Sequence, residues 1–485
     1  MSWLPAFVVA FPLLGAGVTL LVRSVAIRRV VTFLGVGGVL AAAVGLLFAV
    51  DRDGAVVAQI GDWPAPLGIT LIADRFAAIV LSVSASMLLA VLLFATAQLR
   101  RGEVDWGFHT KYLALTAGVS LSLLTGDLFT LFVGFEVMLV ASYVLLTVRS
   151  GVDEIRSTMT YVVINLVASA LFLVVIALVY GLTGTVNMAD ISTRLADVDP
   201  NTRLALSMLM LVVFGIKAGL FPLFMWLPDS YPTAPTPVTA VFAGLLTKVG
   251  VFVIIRTQTL FFGIDEPSTF LLFVAGATMV VGVLGAIAQN DVKRILSFHI
   301  ISQIGYMIFG LAMFSIAGLA AAIVYITHHI VVKTGLFLVG GLVESEYGTG
   351  ALDRTGGLLH RRPVVAALFL PLALSLAGLP PFSGFVAKLA LVQEGVALGR
   401  GTIVAVSLGV SLLTLFSMTK IWGATFWGEP KEGGGEAGRG MVIATGLVVA
   451  LSLGVSMIAG PLTDLALRAA ADLLKPGRYI RAVLG

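Results

Sequence analysis

Apolar runs of membrane-spanning length follow one another along almost the whole of this 485-residue chain. A helix of about 20 apolar residues crosses the hydrocarbon core of a bilayer, and about fourteen such runs can be delimited. They are 3–22, 30–50, 71–98, 112–124, 128–148, 159–182, 204–227, 237–255, 270–288, 295–314, 319–343, 364–396, 403–427 and 441–460. Hydrophobic residues make up 59% of the chain and charged residues only 12%, which is more apolar surface than soluble cores bury. The sequence therefore predicts an all-α polytopic membrane protein with about fourteen transmembrane helices.

Two hydrophilic segments do not fit this pattern of spans. The segment around Asp190, Arg194 and Asp197 predicts a short interfacial helix. The tail from Pro461 mixes leucines with charged residues. We predict that this tail lies on the membrane surface without crossing it.

Charge and cysteine content exclude several classes of protein. The net charge is +4, but the basic residues occur singly or in pairs without a basic face, so nucleic-acid binding is not expected. The chain has no cysteine, which excludes disulfides, iron–sulfur clusters and cysteine-ligated zinc. Nucleotide-binding glycine loops, hydrolase triads and metal-ligand signatures are also missing. Transport is therefore better supported than enzymatic catalysis, and we predict no cofactor and no metal.

Basic loop residues are distributed unevenly between the two sides of the predicted helix map. One side carries Arg23, Arg28, Arg29, Arg100, Arg101, Lys111, Arg149, Arg156, Lys293, Arg294, Arg361 and Arg362. The opposite side carries few, among them Arg52, Arg194, Arg203 and Arg400. The positive-inside rule places the first group in the cytoplasm and both termini outside. The loop 228–237, which maps to the cytoplasmic side, has no Lys or Arg.

Two predicted spans are interrupted by proline in similar sequence contexts. One reads Lys217-Ala-Gly-Leu-Phe-Pro222, and the other reads Ala377-Gly-Leu-Pro-Pro381 with Lys388 further on. The breaks lie five spans apart, and an odd separation reverses the direction of a helix across the membrane. Broken helices of opposite direction are typical of inverted repeats. The lysine precedes the first break but follows the second, and only two short motifs are similar. The inverted repeat is therefore a hypothesis.

Five lysines fall inside the apolar runs, where a charge costs about 2.5–3.5 kcal/mol on insertion scales. They are Lys217, Lys248, Lys333, Lys388 and Lys420. A low-dielectric environment favours the neutral amine, so a buried lysine can take up and release a proton, whereas an arginine stays charged. The pattern therefore indicates proton transfer inside the membrane.

Glu136 lies deep in the fifth run. An isolated carboxylate there would take up a proton, but a neighbouring lysine would keep both groups charged. We predict that Glu136 pairs with Lys217 as a switch, in which closing holds the proton on Lys217 and opening favours its release. The alternative is a static pair that only locks two helices together.

Two further candidate sites lie in the eighth and eleventh runs. Lys248 is near the middle of its run with no acid beside it, which favours a relay role over snorkelling to an interface. His329 and Lys333 are four residues apart, so they share a helix face and could exchange a proton directly or through one water. His328 is a weaker candidate. The alternatives are neutral packed histidines, or a metal site for which this segment offers no third ligand.

The remaining candidates lie near breaks and helix ends. Lys388 follows the proline break, where freed backbone groups admit water, so we predict a proton exit site. The alternative is a lysine that caps the freed carbonyls. Snorkelling is slightly favoured for Lys420, His299 could face either the interior or the headgroups, and Asp229 is better explained as a solvated cap.

Several strings along the chain resemble one family of membrane proteins. They are Gly126-Asp-Leu-Phe-Thr-Leu-Phe-Val-Gly-Phe-Glu136, Lys217-Ala-Gly-Leu-Phe-Pro222, the 235–248 helix, Ser302-Gln-Ile-Gly-Tyr306, His328-His-Ile-Val-Val-Lys333 and Leu379-Pro-Pro-Phe-Ser-Gly384. These strings are similar to the antiporter-like membrane subunits shared by respiratory complex I and multisubunit cation/proton antiporters. The length and the stretch Gly61-Asp-Trp-Pro-Ala-Pro66 look most like the D-type subunits of Mrp-type sodium/proton antiporters.

The resemblance implies fourteen helices with two inverted five-helix repeats and two broken helices. The implied division is 1–110 for helices 1–3, 111–256 for a first repeat of helices 4–8, 257–428 for a second repeat of helices 9–13, and 429–485 for the last helix and an interfacial tail. The channel residues of the family fall on Glu136, Lys217, Lys248, His329, Lys333 and Lys388. A complex in the bacterial cell membrane, surrounded by lipid, with partners of the A, B, C, E, F and G types and no cofactor in this chain, is also implied.

The resulting hypothesis is a proton-translocating subunit of a secondary monovalent cation/proton (Na⁺/H⁺) antiporter complex. Three alternatives remain open. One is a proton-pumping membrane subunit of a complex I-like NADH:quinone oxidoreductase or membrane hydrogenase. The others are a structural scaffold whose buried charges only order the helices, and a stand-alone carrier.

Overall fold

The computed structural model describes residues 2–98, 107–147, 152–263, 268–431 and 433–485. Arg100, Arg101 and Arg149, which contribute to the predicted charge asymmetry, lie outside the described residues. Almost all of the described chain is helical, and the helices alternate with short connections.

The elements follow one another in four groups. The first contains α1 (Leu4–Leu21), α2 (Val25–Asp53), β1 (Val56–Gln59), β2 (Thr70–Ala73) and α3 (Arg75–Gln98). The second contains α4 (Phe108–Leu124), α5 (Leu128–Leu146), α6 (Val152–Thr183), α7 (Met188–Arg194), α8 (Pro200–Ala218), α9 (Trp226–Ser230) and α10 (Thr236–Phe262). The third contains α11 (Ser268–Ala288), α12 (Val292–Ala312), α13 (Ile316–Tyr347), α14 (Leu358–Arg361), α15 (Pro363–Ala377), α16 (Ser383–Ala397) and α17 (Gly401–Trp427). The last contains α18 (Arg439–Met457), α19 (Ala459–Leu474) and α20 (Gly477–Leu484).

Twelve of the described helices are long and apolar enough to cross a membrane. They are α1, α2, α3, α5, α6, α8, α10, α11, α12, α13, α17 and α18. The predicted polytopic, essentially all-helical membrane protein is therefore confirmed. Each of the fourteen predicted runs overlaps at least one helix, but α4 has only 17 residues and α15 and α16 only 15 each, so the count of fourteen spans stays a prediction.

Both predicted helix breaks occur where the proline motifs place them. Helix α8 ends at Ala218 and Gly219 takes the left-handed conformation with φ 79°, while α15 ends at Ala377 and Gly378 has φ 88°. A left-handed residue ends an α-helix and is favourable mainly for glycine. The chain becomes helical again at α9 and α16, so each break is a non-helical segment within a predicted span.

The predicted third run, 71–98, begins too early. Residues Thr70–Ala73 form β2, which pairs antiparallel with β1. Helix α3 starts only after Asp74, whose carboxylate accepts a hydrogen bond from the Ala77 amide at 2.9 Å as an N-cap does. Short apolar strands and helical turns look alike in sequence, and this sheet is the departure from an all-α chain among the described residues.

The two hydrophilic segments are also helical. The segment at 190–197 forms α7 and a 3₁₀ turn, and the tail forms α19 and α20. Helix α19 is fastened to the ends of α2 and α3, because Arg468 pairs with Asp51 at 3.0 Å and Asp472 pairs with Arg75 at 2.5 Å. The position of the tail relative to the bilayer stays a prediction.

Helix α13 forms the centre of the bundle and packs against α3, α12, α15, α16, α18 and α19. Nearly all of its 32 residues are buried. A helix buried on every side is expected to be apolar around its whole circumference, so His328, His329 and Lys333 in its middle are exceptional. Helix α10, which carries Lys248, is buried along its whole length as well.

Two backbone bridges recur at a constant distance along the sequence. Residues 126–128 pair with 186–188 through two hydrogen bonds of 2.8 and 2.9 Å, and residues 290–292 pair with 350–352 through two of 2.9 Å. Each residue of the second bridge stands 164 positions after its counterpart in the first. Helices α6 and α13 begin and end with the same offset of 164. The same backbone pattern therefore recurs at an offset of 164 residues.

Close packing of α11 on α12 gives a first prediction. A Cβ built at Gly282 would lie 2.3 Å from the backbone N of Ser302, whereas nothing lies within 4 Å of one built at Gly409 in α17. We expect Gly282→Ala to lower the free energy of unfolding by about 1–3 kcal/mol through overpacking. We expect Gly409→Ala to change it by less than about 0.5 kcal/mol. Unfolding of the purified variants in detergent measures both, and equal stabilities would contradict the packing argument.

Candidate functional site

Four of the five predicted intramembrane lysines are inside the protein. Lys217 and Lys388 are 4% and 6% exposed, and Lys248 and Lys333 are fully buried. They lie on α8, α16, α10 and α13. Among the residues that the structure describes, no carboxylate oxygen lies within the 4.0 Å ion-pair distance of any of these four amines. Lys217, Lys248 and Lys388 instead donate hydrogen bonds to neutral groups.

Glu136 and Lys217 are connected through a third residue. The hydroxyl of Ser169 on α6 donates a hydrogen bond to Glu136 Oε1, and Lys217 Nζ donates to the same hydroxyl at 3.1 Å. In this structure the two groups are bridged and do not touch, because α6 inserts the Ser169 side chain between α5 and α8; the predicted switch between them stays a prediction. Lys217 Nζ also lies 5.0 Å from the centre of the Phe135 ring, a distance suited to a cation–π contact.

The position of Lys217 follows from the helix break. Lys217 lies in the last turn of α8, two residues before the left-handed Gly219. The carbonyl end of a helix is electronegative and stabilises a nearby cation. The break therefore places an amine at a site that tolerates charge without a carboxylate.

Lys248 is held by an irregular turn of its own helix. Residues Phe242–Leu246 form a π-helical turn within α10, which frees a backbone carbonyl from regular bonding. Lys248 Nζ donates to Ala243 O and, at 3.2 Å, to Thr247 Oγ1. Since the side chain is fully buried, the snorkelling alternative does not describe it.

Polar atoms without protein partners cluster around the middle of α13. Both ring nitrogens of His329, Nζ of Lys333 and Nε2 of His328 have no hydrogen-bond partner among the described residues. Buried polar groups are nearly always bonded to protein or to ordered water. These side chains are therefore suited to a hydrated path through the protein interior.

His299 and His328 extend this cluster to neighbouring helices. His299 on α12 is fully buried and one of its ring nitrogens bonds the hydroxyl of Ser417, so it faces the interior rather than the headgroups. His328 Nδ1 bonds Ser383 Oγ at 2.9 Å at the start of α16. Within the described part of the chain, no three His, Asp or Glu side chains are grouped as metal ligands would be.

Lys388 reaches back to the second break. Its Nζ donates to Leu376 O and Ala377 O at 3.0 Å each, at the end of α15, and lies 4.8 Å from the centre of the Tyr306 ring. The capping contact considered as an alternative is therefore present. Both broken helices consequently have an amine at the carbonyl end of their first half, although the two lysines stand on opposite sides of the breaks in sequence.

Two secondary candidates occupy other environments. Lys420 Nζ donates to Ile287 O at 3.0 Å, Gln289 O at 2.7 Å and Asn290 Oδ1 at 2.8 Å, so it caps the end of α11. Asp229 is exposed and pairs with Arg294 at 3.1 Å. Neither side chain contacts the buried cluster.

Sequence reasoning missed two buried ion pairs. Lys293, which was counted among the loop charges, is 3% exposed and pairs with Glu344 at 2.7 Å. Arg256 pairs with Asp74 at 2.6 Å, and three aromatic rings lie 5.2–5.7 Å from its guanidinium. The partners are distant in sequence, so only the position of Glu344 at the end of an apolar run offered a signal.

Comparison with known proteins identifies the family of this chain. Residues 125–414, more than half of the chain, match the family described as NADH:quinone oxidoreductase/Mrp antiporter, transmembrane. The chain belongs to this family. The D-type subunit of the Na⁺/H⁺ antiporter of Alkalihalophilus pseudofirmus is 42% identical over 479 residues, which are 97% of both proteins. Its counterpart from Bacillus subtilis, also of the D type, is 36% identical over 445 residues, 90% of both.

A solved structure extends the similarity to the whole fold. A chain of the Mrp complex from Dietzia sp. matches with a TM-score of 0.94 at 36% identity, covering 100% of this chain and 99% of that one. The broken helices and the C-terminal tail therefore belong to the shared fold. The resemblance inferred from the sequence motifs is confirmed.

The contacts of Lys420 give a second prediction. We expect Lys420→Ala to lower the free energy of unfolding by about 0.5–1.5 kcal/mol, because part-buried carbonyls at the end of α11 lose their donor. Lys475→Ala, at an exposed position of the tail, should have no measurable effect. Unfolding in detergent tests both variants, and an unchanged stability of Lys420→Ala would contradict the capping role.

Proposed function

We propose that this protein is the proton-translocating, D-type subunit of a secondary Na⁺/H⁺ antiporter complex. One observation carries the proposal: four buried lysine amines on four helices bond only neutral groups or no described protein atom. Such amines are suited to alternate between charged and neutral forms, since a permanent charge is costly there. Relatives at 42% and 36% identity are Na⁺/H⁺ antiporter subunits, which supports a transporter and not an enzyme.

Close helix contacts support a continuous path between Lys217, Lys248 and Lys333. A Cβ built at Gly250 would lie 2.8 Å from the backbone N of Ala218, so α10 and α8 meet beside Lys248 and Lys217. One built at Gly244 would lie 2.3 Å from Thr334 Oγ1, so α10 also meets α13 beside Lys333. The glycines thus allow the helices that carry the three lysines to approach one another.

Aromatic and hydroxyl groups support the last part of the path. Tyr306, on which Lys388 lies, stacks on Tyr325 at 5.2 Å, and Tyr325 meets His328 edge-on at 5.6 Å. His328 bonds Ser383 beside the second break. In the proposed order, protons pass along Glu136 and Lys217, then Lys248, then His329 and Lys333, and finally Lys388.

The division of the chain is part of the proposal. Residues 111–256 and 257–428 form two inverted five-helix repeats, between 1–110 and the terminal segment 429–485. The recurring bridges and the matching ends of α6 and α13, all 164 residues apart, support this division.

The proposed setting is the bacterial cell membrane with both termini outside, as the loop charges indicate. Protons enter from outside, and their downhill flow drives Na⁺ outward. Partners of the A, B, C, E, F and G types complete the complex, and the relative of known structure is described as part of the Mrp complex.

Alanine variants test the relay. We expect Lys217→Ala and Lys248→Ala each to lower cation-dependent proton flux by roughly 10²-fold, the contribution typical of a positioned proton-transfer group. Flux is measured in inside-out vesicles that hold the complete complex and is normalised to the amount of assembled complex. Lys475→Ala is the matched control, because it removes an amine from an exposed position.

The outcomes separate the alternatives. Normal flux in assembled Lys217→Ala and Lys248→Ala complexes would rule out the relay. Loss of assembly with unchanged flux per assembled complex would favour a structural scaffold. Flux that requires an electron donor would favour a redox-driven pump, and exchange by the chain reconstituted alone would favour a stand-alone carrier.

A further inference from the structure

We propose that the Ser169 hydroxyl transfers the proton between Lys217 and Glu136, an inference that rests on the proposed function. Ser169 was not among the residues singled out in the sequence, because serine is common in membrane helices and usually bonds the backbone of its own helix. Here its hydroxyl bonds two side chains from two other helices, α5 and α8.

The direction of the two hydrogen bonds suits a transfer. Lys217 Nζ donates to Ser169 Oγ at 3.1 Å, and Ser169 Oγ donates onward to Glu136 Oε1. All donors therefore point from the amine toward the carboxylate. No other hydrogen bond joins Lys217 Nζ or the Glu136 carboxylate to the described residues, so the hydroxyl is the connection between them.

The step conserves atoms and charge. One N–H bond of the Lys217 ammonium breaks as a new O–H bond forms on Ser169 Oγ, while the original O–H bond of Ser169 breaks as its proton bonds Glu136 Oε1. The products are a neutral amine, a neutral carboxylic acid and an unchanged serine whose proton now comes from Lys217. The charged pair becomes a neutral pair without direct contact between the two groups. Transfer toward Glu136 releases the proton from Lys217, and the reverse transfer returns it, as the proposed switch requires.

Burial makes this hydroxyl important. Ser169 is 5% exposed and Lys217 is 4% exposed, and the Phe135 ring covers the amine. Glu136 is half-buried. In a low-dielectric site a short chain of hydrogen bonds lowers the cost of moving charge, so losing the middle member removes a route that solvent does not readily replace.

The backbone pattern that recurs after 164 residues gives an independent reason to single out the position of Ser169. With the offset of 164 that relates α6 to α13, Ser169 corresponds to Lys333 and Asn165 corresponds to His329. Tyr161 corresponds to Tyr325 in the same register. The position that carries a buried lysine in the second half thus carries the bridging serine in the first. Each half of the fold thus has a side chain that can exchange a proton at this point of the corresponding helix.

Three substitutions at this position form the test. Threonine and valine have nearly the same shape and differ in the hydroxyl, so comparing Ser169→Thr with Ser169→Val isolates the hydroxyl from packing. We expect Ser169→Val and Ser169→Ala to lower cation-dependent proton flux roughly tenfold, the effect of one charge-assisted hydrogen bond, and Ser169→Thr to keep most of it. Ser122→Ala is the control, because Ser122 is equally buried but donates only to Gly118 O of its own helix.

Two further measurements distinguish a relay from a structural effect. The ratio of flux in H₂O to flux in D₂O should rise in Ser169→Val but not in Ser169→Thr, since proton transfer then limits the rate. In addition, Ser169→Val should lower flux little further in a Glu136→Gln background, because both substitutions cut the same chain. Equal flux in the threonine and valine variants, or multiplied losses in the double variant, would overturn the proposal.

A reference variant separates this inference from the function itself. If Lys248→Ala loses flux while Ser169→Val keeps it, the antiport relay stands and the serine link fails. If neither variant loses flux, the proposed function fails as well.

Discussion

An ammonium group in the apolar centre of a helix bundle loses its hydration, so the protein must supply acceptors that regular helices do not have to spare. For two of the four buried lysines the acceptors come from places where helix geometry is interrupted. Lys388 bonds two carbonyls at the end of α15, and Lys248 bonds a carbonyl in the π-helical turn of α10. Lys217 lies at the end of α8 and bonds the Ser169 hydroxyl. Interrupted helices therefore supply carbonyl acceptors to Lys248 and Lys388 where no carboxylate of the described residues lies within ion-pair distance.

Direct ion pairs also join helices to one another in this fold. Arg256 with Asp74 joins α10 to the start of α3, and Lys293 with Glu344 joins α12 to the end of α13. In each pair a carboxylate oxygen lies 2.6–2.7 Å from the cationic nitrogen. Such pairs fasten helices, whereas no described carboxylate lies within ion-pair distance of the four buried lysines of the proposed relay. The partner, and not the residue type alone, therefore distinguishes these two sets of buried cations.

Two parts of the protein share a backbone pattern but differ in the polar side chains at corresponding positions. The same bridges and helix ends recur after 164 residues, yet one half has a lysine before its break and the other has a lysine after it. Folding brings both amines to the carbonyl end of a half-helix. Ser169 and Lys333 occupy corresponding positions on α6 and α13. The backbone bridges and helix ends thus recur, although the polar side chains at corresponding positions differ.

The sequence by itself determined that the protein lies in a membrane, which segments are helical, where two helices break and which lysines lie within apolar runs. These features follow from runs of apolar residues and from the cost of a charge within them, which are local properties. The family also followed from local strings. Only the tertiary structure decided which groups meet: that Ser169 stands between Glu136 and Lys217, that Lys420 caps α11, that His299 faces inward and that Lys293 is buried. These contacts join residues far apart in the chain, and they depend on how helices rotate and approach, which the spacing of apolar residues leaves open.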